Sequence, residues 1–341
     1  MLPSPHASPR LVTPTIAIVL LLLATVPFWI ERIGLYPYIG VEILIWSIYA
    51  LGFNLVLGYT GLPSFGHGAY FGVGAYAFGL AQFNIAPNLW LCLLFAVLAA
   101  ALAGAFVSLF VSHRRGIYFA LMTIAFGQVF WFISIKTHSV TGGEDGLLKI
   151  ERLPVELGAA QVVLASNFSF YYFVLAAFAI VLIALWRLVN SPFGRVLQAI
   201  RQNETRVTFL GYSVWWLKAG VFTLSAAISG FAGALFAMAQ GSAFPDVMSL
   251  HHSGYIVMMT LVGGGLVSFW GPVIGVFAFL LTRDIIGALT TAWMFWFGLF
   301  FVTMVLFKPE GLAGLLRDAR DAVLRRWPFV ATTAPVREPG E

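Results

Sequence analysis

The chain has 341 residues, 60% of them apolar and 10% charged, against about 25% charged residues in an ordinary soluble domain. That balance excludes a soluble enzyme-like domain and predicts an all-α fold, a polytopic transmembrane helical bundle. The net charge of +5 does not point to nucleic acid, because the arginines gather between apolar runs and near the C-terminus, as cytoplasmic loops require.

In chain order, residues 1–10 are predicted to be a cytoplasmic N-terminus. The run 11–30 lacks a small-residue cleavage site and is followed by more hydrophobic segments, so it reads as a retained first helix rather than a signal peptide. A hydrocarbon core of about 30 Å takes roughly 20 apolar residues. The runs 11–30, 38–57, 88–111, 117–136, 168–187 and 218–240 meet this outright. The stretches 64–83, 254–287 and 293–308 are shorter or interrupted. Charge bias decides how they count. Arg114 and Arg115, then Arg187, Arg195, Arg201, Arg206 and Lys218, then Arg317, Arg320, Arg325 and Arg326 mark three cytoplasmic regions. The loop 137–167, with Glu144, Asp145, Glu151 and Glu156 against Lys149 and Arg152, belongs on the opposite side. These loops keep their sides if 64–83 crosses once and 254–287 crosses twice, broken between Gly263-Gly264-Gly265 and Gly271-Pro272. The bundle then has about ten segments within a transmembrane domain spanning 11–312, followed by a cytoplasmic tail, 313–341, that frays from Trp327 onward.

The interrupted segments resemble one another. Gly61-Leu62-Pro63-Ser64-Phe65, then Gly72-Val73-Gly74-Ala75-Tyr76, is echoed by Gly265-Leu266-Val267-Ser268-Phe269, then Gly275-Val276-Phe277-Ala278-Phe279. Gly-interrupted helices thus occur in both halves, and such paired breaks point to a transporter's substrate region, because an opened helix exposes backbone dipoles that only a protein-lined cavity satisfies.

Enzyme signatures are missing from the sequence: it has no H-E-x-x-H zinc helix, no G-x-S-x-G elbow and no phosphate loop around any of its four lysines. The single cysteine, Cys92, excludes a disulfide framework and a CxxC pair. Charges inside the spans are too few for a proton relay. Glu42 lies about 6 Å into its helix from Tyr38 and reads as interfacial, while Asp284 pairs with Arg283. His67, in Gly66-His67-Gly68, either holds freed backbone carbonyls or lines a path. Asn54, Ser64 and Gln128 are polar positions on apolar segments, where bonding between helices is the ordinary role. His251 and His252 read as a solvated outer loop.

The most polar stretch is the island from Asn190 to Tyr212. Ser191-Pro192 is an N-cap followed by proline at the first helical position, and Gly211 permits a left-handed stop. Val196, Leu197, Ile200, Val207, Leu210 and Tyr212 are expected to supply apolar contacts, while Arg195, Arg201, Glu204 and Arg206 project polar groups on an exposed charged face. Such a helix either lies on anionic lipid or docks into a protein cleft; its internal glutamate and glycine stop favour docking.

Across nearly its whole length the chain resembles the LivM-type permeases of branched-chain amino-acid ABC transporters. The matching residues run from Leu57-Gly58-Tyr59-Thr60-Gly61 and Phe65-Gly66-His67-Gly68-Ala69 through Thr141-Gly142-Gly143-Glu144-Asp145-Gly146-Leu147 and Ser191-Pro192-Phe193-Gly194-Arg195 to Ala199-Ile200-Arg201-Gln202-Asn203-Glu204. They continue with Ser229-Gly230-Phe231-Ala232-Gly233, Trp270-Gly271-Pro272 and Phe307-Lys308-Pro309-Glu310-Gly311-Leu312. The resemblance implies a bacterial inner-membrane importer subunit working with a second permease, two ATPase subunits and a periplasmic binding protein. ATP and Mg would sit on the partner ATPase, with no cofactor on this chain. It implies a coupling helix within 190–213, with Arg195, Arg201, Asn203, Glu204, Arg206 and Gly211 engaging the ATPase. The translocation path would involve Asn54, Ser64, His67, Gln128 and Ser268, and the binding protein would dock near 137–167 and 241–253. Urea or short amides are alternative cargoes within the family, and a stand-alone secondary transporter or channel is the reading from another class. One departure stands out: Arg206-Val207 follows the Asn-Glu pair where the family commonly has small residues.

Overall fold

The computed structural model describes residues 14–29, 36–157, 160–266, 268–308 and 310–326. The expected N-terminal segment 1–10 and the fraying end after Arg326 lie outside these residues. Apolar runs become helices because a backbone in hydrocarbon must satisfy its own polar groups. The helices in chain order are α1 (Pro14–Trp29), α2 (Pro37–Asn54), α3 (His67–Asn84), α4 (Leu89–Val111), α5 (Gly116–Lys136), α6 (His138–Thr141) and α7 (Asn167–Asn190). After them come α8 (Pro192–Gln202), α9 (Glu204–Phe209), α10 (Val214–Gln240), α11 (Leu250–Gly263), α12 (Gly271–Leu289), α13 (Trp293–Phe307) and α14 (Gly311–Arg326). Their starts follow local chemistry. Asn88 caps α4 by accepting from the backbone N–H groups of Trp90 and Leu91 at 3.1 and 3.2 Å, and Ser166 caps α7 through Ser169 N at 3.0 Å.

Two helices form the centre. The membrane-length stretch of α2 is buried throughout, and α10 packs along α2, α3 and α4. The α3–α10 crossing is close because it is built on glycine: a Cβ on Gly74 would strike the backbone of Gly230, and one on Gly233 would strike Phe71 O. By contrast, α4, α5, α12 and α13 present rows of exposed apolar side chains, among them Leu102, Leu121, Phe277 and Phe295.

Contacts define two ends. At one, Asn88 Nδ2 donates to Glu156 at 3.1 Å and Trp90 Nε1 donates to the Glu156 carbonyl at 3.1 Å. There β1 (Leu147–Leu148) pairs antiparallel with β4 (Ser242–Ala243), and β2 (Val155–Leu157) forms a hairpin with β3 (Ala160–Val162). Tyr171 and Tyr172, early in α7, donate to Leu23 O and Ala24 O at 2.6 and 2.9 Å, which brings the end of α1 here too. The opposite, basic end gathers the α4–α5 turn, α8, α9 and the start of α10, where Lys218 Nζ donates to Arg114 O at 2.9 Å.

Among the described residues six helices are long and apolar enough to cross a membrane by themselves: α2 with its extension to Tyr59, α4, α5, α7, α10 and α12. The expected ten is therefore not reached on length and composition. In the described residues α1 and α13 are short apolar helices, α11 has 14 residues, and α3 has 18 but is rich in glycine and tyrosine. Residues 311–326 form α14, which packs against α11 and α12.

Candidate functional site

Both predicted breaks exist, and they touch. At the basic end of α2 the backbone widens into a π-helical turn, Leu55–Tyr59. Thr60 Oγ1 donates to Leu55 O at 2.8 Å, Leu62 N reaches Val56 O at 2.9 Å, and Gly61 turns the chain in the left-handed region at φ 73°. An irregular stretch follows, seated on α5 by a bond from Phe65 N to Thr123 Oγ1 at 3.1 Å, before α3 begins. In the second half α11 stops at Gly263 because Gly264 turns left-handed at φ 88°. Gly264 N and Gly265 N then satisfy Leu261 O and Thr260 O at 3.0 and 2.8 Å, a glycine C-cap. The chain resumes as α12 after Ser268, whose Oγ accepts from Trp270 N at 3.3 Å.

The two breaks meet where Gly58 faces Gly265. A Cβ on Gly58 would collide with Asn54 Oδ1 and lie 2.6 Å from Gly265 O. Asn54 is buried in this junction with neither side-chain atom hydrogen-bonded among the described residues, and the buried Thr260 Oγ1 is likewise unpaired. Arg201 closes the junction from α8. Its Nη1 donates to Gly58 O at 2.5 Å and to Leu266 O at 2.6 Å, and its stem packs where a Cβ on Gly61 would come within 2.9 Å of Cγ. Beside it lies a cavity of about 460 Å³ lined by Gly58, Tyr59, Gln198, Arg201, Gln202 and Ser268, among others.

The polar island is two helices, not the single one expected. Ser191 Oγ caps α8, accepting from Gly194 N at 3.4 Å and donating to Leu188 O at 2.6 Å. Leu197, Ile200 and Val207 pack inward as predicted. Asn203 then interrupts the helix, because its extended backbone and its side chain, accepting from Arg206 N at 3.0 Å, start α9 afresh. Arg195 and Arg206 are exposed. Glu204 is not: its carboxylate turns back onto its own chain, 2.6 Å from Arg115 Nε and 3.3 Å from Lys218 Nζ. Its outward projection is therefore corrected, since a buried Lys218 ammonium needs a counter-charge. Of the residues expected to supply apolar contacts, Leu210 and Tyr212 are 74% and 48% exposed beside Phe209 at 86%. The left-handed Gly211, φ 87°, turns this apolar knob outward. An apolar cluster beside a glycine at the end of a polar segment was the signal for Phe209.

The remaining candidates separate. Ser64 and His67 belong to a closed network: His67 Nδ1 lies 2.7 Å from Ser64 Oγ, its Nε2 lies 2.9 Å from Ser225 Oγ, and Ser225 donates to Gly52 O at 2.8 Å. Phe53, Tyr70 and Phe222 ring the imidazole edge-on at 5.0 to 5.3 Å. Gln128 is half-buried on α5. Of the expected path residues, Asn54 and Ser268 alone reach the junction. Glu42 is buried and takes a bidentate pair from Arg283 at 2.8 Å on both oxygens, while Arg283 Nε also meets Asp284 at 3.1 Å. His252 is partly buried, stacked on Trp46 at 6.2 Å and 3.5 Å from Asp246, rather than solvated as predicted. Among the described residues no group of three or more His, Cys, Asp or Glu is placed to hold a metal ion.

Residues 37–307 match a protein family described as the permease component of branched-chain amino acid transport systems. The chain is 30% identical over 321 residues to the high-affinity branched-chain amino acid transport system permease protein LivM of Escherichia coli, covering 88% of this chain and 75% of that protein. It is 23% identical to the probable branched-chain amino acid transport permease LivM of Methanocaldococcus jannaschii, covering 79% of this chain and 92% of that protein. An autoinducer 2 import system permease, LsrC of an Enterobacter species, matches at 30% identity over 74% of this chain and 71% of its own length. No solved structure matches the chain.

Proposed function

Because the chain belongs to the branched-chain amino acid transport permease family, we propose that it is the permease subunit of an ATP-driven importer of branched-chain or other hydrophobic amino acids in a bacterial inner membrane. It works with a second permease, two ATPase subunits that carry ATP and Mg, and a periplasmic binding protein. Ten helices cross in this reading, with α1, α3, α11 and α13 joining the six long ones; what supports it is that α3 and α11 each have contacts at both ends of the bundle. α8 and α9 are the coupling element. One observation carries this reading: a two-helix amphipathic element outside the bundle exposes Arg195, Arg206, Phe209, Leu210 and Tyr212, while its other face is bonded through Arg201 to both helix breaks. A surface built to receive a soluble partner is thereby connected to the places where the spanning helices are interrupted. The binding protein docks on the opposite end, near 137–167 and 241–253, and selects the cargo.

The similarity to an autoinducer 2 permease keeps cargo open within the family, urea and short amides included. Purification of the detergent-solubilised complex tests the assignment. A stoichiometric ATPase that stays with this chain supports it, whereas uptake by this chain alone in liposomes lacking an ATPase would overturn it in favour of a stand-alone transporter.

A further inference from the structure

Two helix breaks share one guanidinium: Gly58 O belongs to the π-helical turn that ends α2, and Leu266 O to the loop that follows the glycine cap of α11. Each helix end carries a partial negative charge of about half an electron, so two brought together repel. In transporters with broken helices, such ends and their unwound carbonyls coordinate a coupling cation. Here Nη1 of Arg201 takes that place, with Gly58 O at 2.5 Å and Leu266 O at 2.6 Å. Among the described residues no carboxylate bonds it, and its charge is committed to the two breaks. The cation is tethered to α8, an element outside the bundle.

The junction beneath it favours opening. Among the described residues Asn54, 1% exposed, has both polar side-chain atoms unpaired, and Thr260 Oγ1 is unpaired beside it. Each such group is costly while it stays dry. Separation of Gly58 from Gly265 would let these groups meet water or cargo. The closed junction is therefore an element with two opposing terms, unpaired amide and hydroxyl against a shared cation, and a modest displacement of α8 tips the balance.

We propose that Arg201 is the positioning residue of transport, a cation tethered to the coupling element that holds two interrupted helices together and releases them when that element moves. This rests on reading α8 and α9 as the coupling element. The closing experiment uses the intact complex with its ATPase. Arg201→Gln should lower cargo moved per ATP hydrolysed by about tenfold or more, since it removes the charge behind both hydrogen bonds, while ATP hydrolysis continues. Arg201→Lys should fall between, and millimolar guanidinium should restore coupling to Arg201→Gln but not alter the wild type. A purely structural arginine would change protein yield and leave cargo per ATP untouched. Labelling of wild-type Arg201 by phenylglyoxal, read by mass spectrometry, needs no variant: reactivity should rise severalfold in the vanadate-trapped complex over the nucleotide-free one. Equal labelling in both states, or unaltered cargo per ATP in Arg201→Gln, overturns the latch while leaving the importer assignment standing. Failure of any ATPase to associate overturns the assignment itself.

Discussion

Glu204 shows how a side chain can sit in the right segment and face the wrong way. An acidic residue in a basic island reads as a surface contact, yet its carboxylate serves Lys218, whose side chain is 1% exposed, and Arg115. Breaking a buried pair by removing one partner costs about 3–5 kcal/mol. Glu204→Ala should therefore lower the thermal midpoint of the purified protein by several degrees, and adding Lys218→Met should recover most of it. A midpoint unchanged in the single variant would restore Glu204 to the outer surface. Asn54 gives the opposite case. Leucine has the same branching as asparagine and no polar atoms, so Asn54→Leu should raise the thermal midpoint while reducing uptake about tenfold or more, as stability and function part at a strained site. If uptake survives, the junction is packing only. Composition made both positions visible as polar outliers, but the choice between partner and pocket depends on tertiary neighbours far along the chain. Glu204 and Lys218 are 14 residues apart, whereas Asn54 and Gly265 come from different halves.

At the scale of elements, glycine and proline punctuation was a reliable guide to where helices stop, because left-handed backbone and missing donors are local facts. Gly61 and Gly264, both left-handed, mark the two breaks, the second one residue before the Gly265 that the repeated motif pairs with Gly61. Ser191-Pro192 opens α8 as its type predicts. What local rules missed was the interruption at Asn203, whose side chain competes for backbone N–H groups and so ends one helix and starts another. The consequence is orientation: α9 leaves α8 and carries Phe209, Leu210 and Tyr212 outward instead of continuing their inward face. Large apolar side chains exposed next to Arg206, at the tip of an element with a buried opposite side, suit a central contact with an apolar cleft. Phe209→Asp should weaken association with the ATPase at least about tenfold, measured by surface-immobilised complex or pull-down, with the thermal midpoint of the isolated chain unaltered. Equal affinity would move the contact to Arg195 and the start of α8.

The whole molecule turns on how often the chain crosses. Hydropathy alone singles out six helices, and a six-crossing protein would leave α3 and α11 lying along one face. The contacts argue otherwise. Gly58, just before α3, lies at the Arg201 junction, whereas Asn88, just after α3, is bonded to Glu156 in the acidic loop at the other end. Similarly α11 starts beside β4, which pairs with β1 in that loop, and ends at Gly263, followed by the break whose Leu266 carbonyl accepts from Arg201. A helix of 14 residues is about 21 Å long, too short for a full hydrocarbon span, but a short helix suffices where a break at its end is buried in protein and capped by an arginine instead of lipid. Shortness that hydropathy counts against α11 is thus what the break requires. Single cysteines in a Cys92→Ser background separate the two counts, because Pro63→Cys and Pro87→Cys flank α3, and Asp246→Cys and Ser268→Cys flank α11. With ten crossings, membrane-impermeant maleimide applied to intact cells labels positions 87 and 246, and labels 63 and 268 only after permeabilisation. With six, 63 and 87 label alike, as do 246 and 268. That outcome would detach the breaks from any path through the membrane and, with them, the role of the coupling element in opening one.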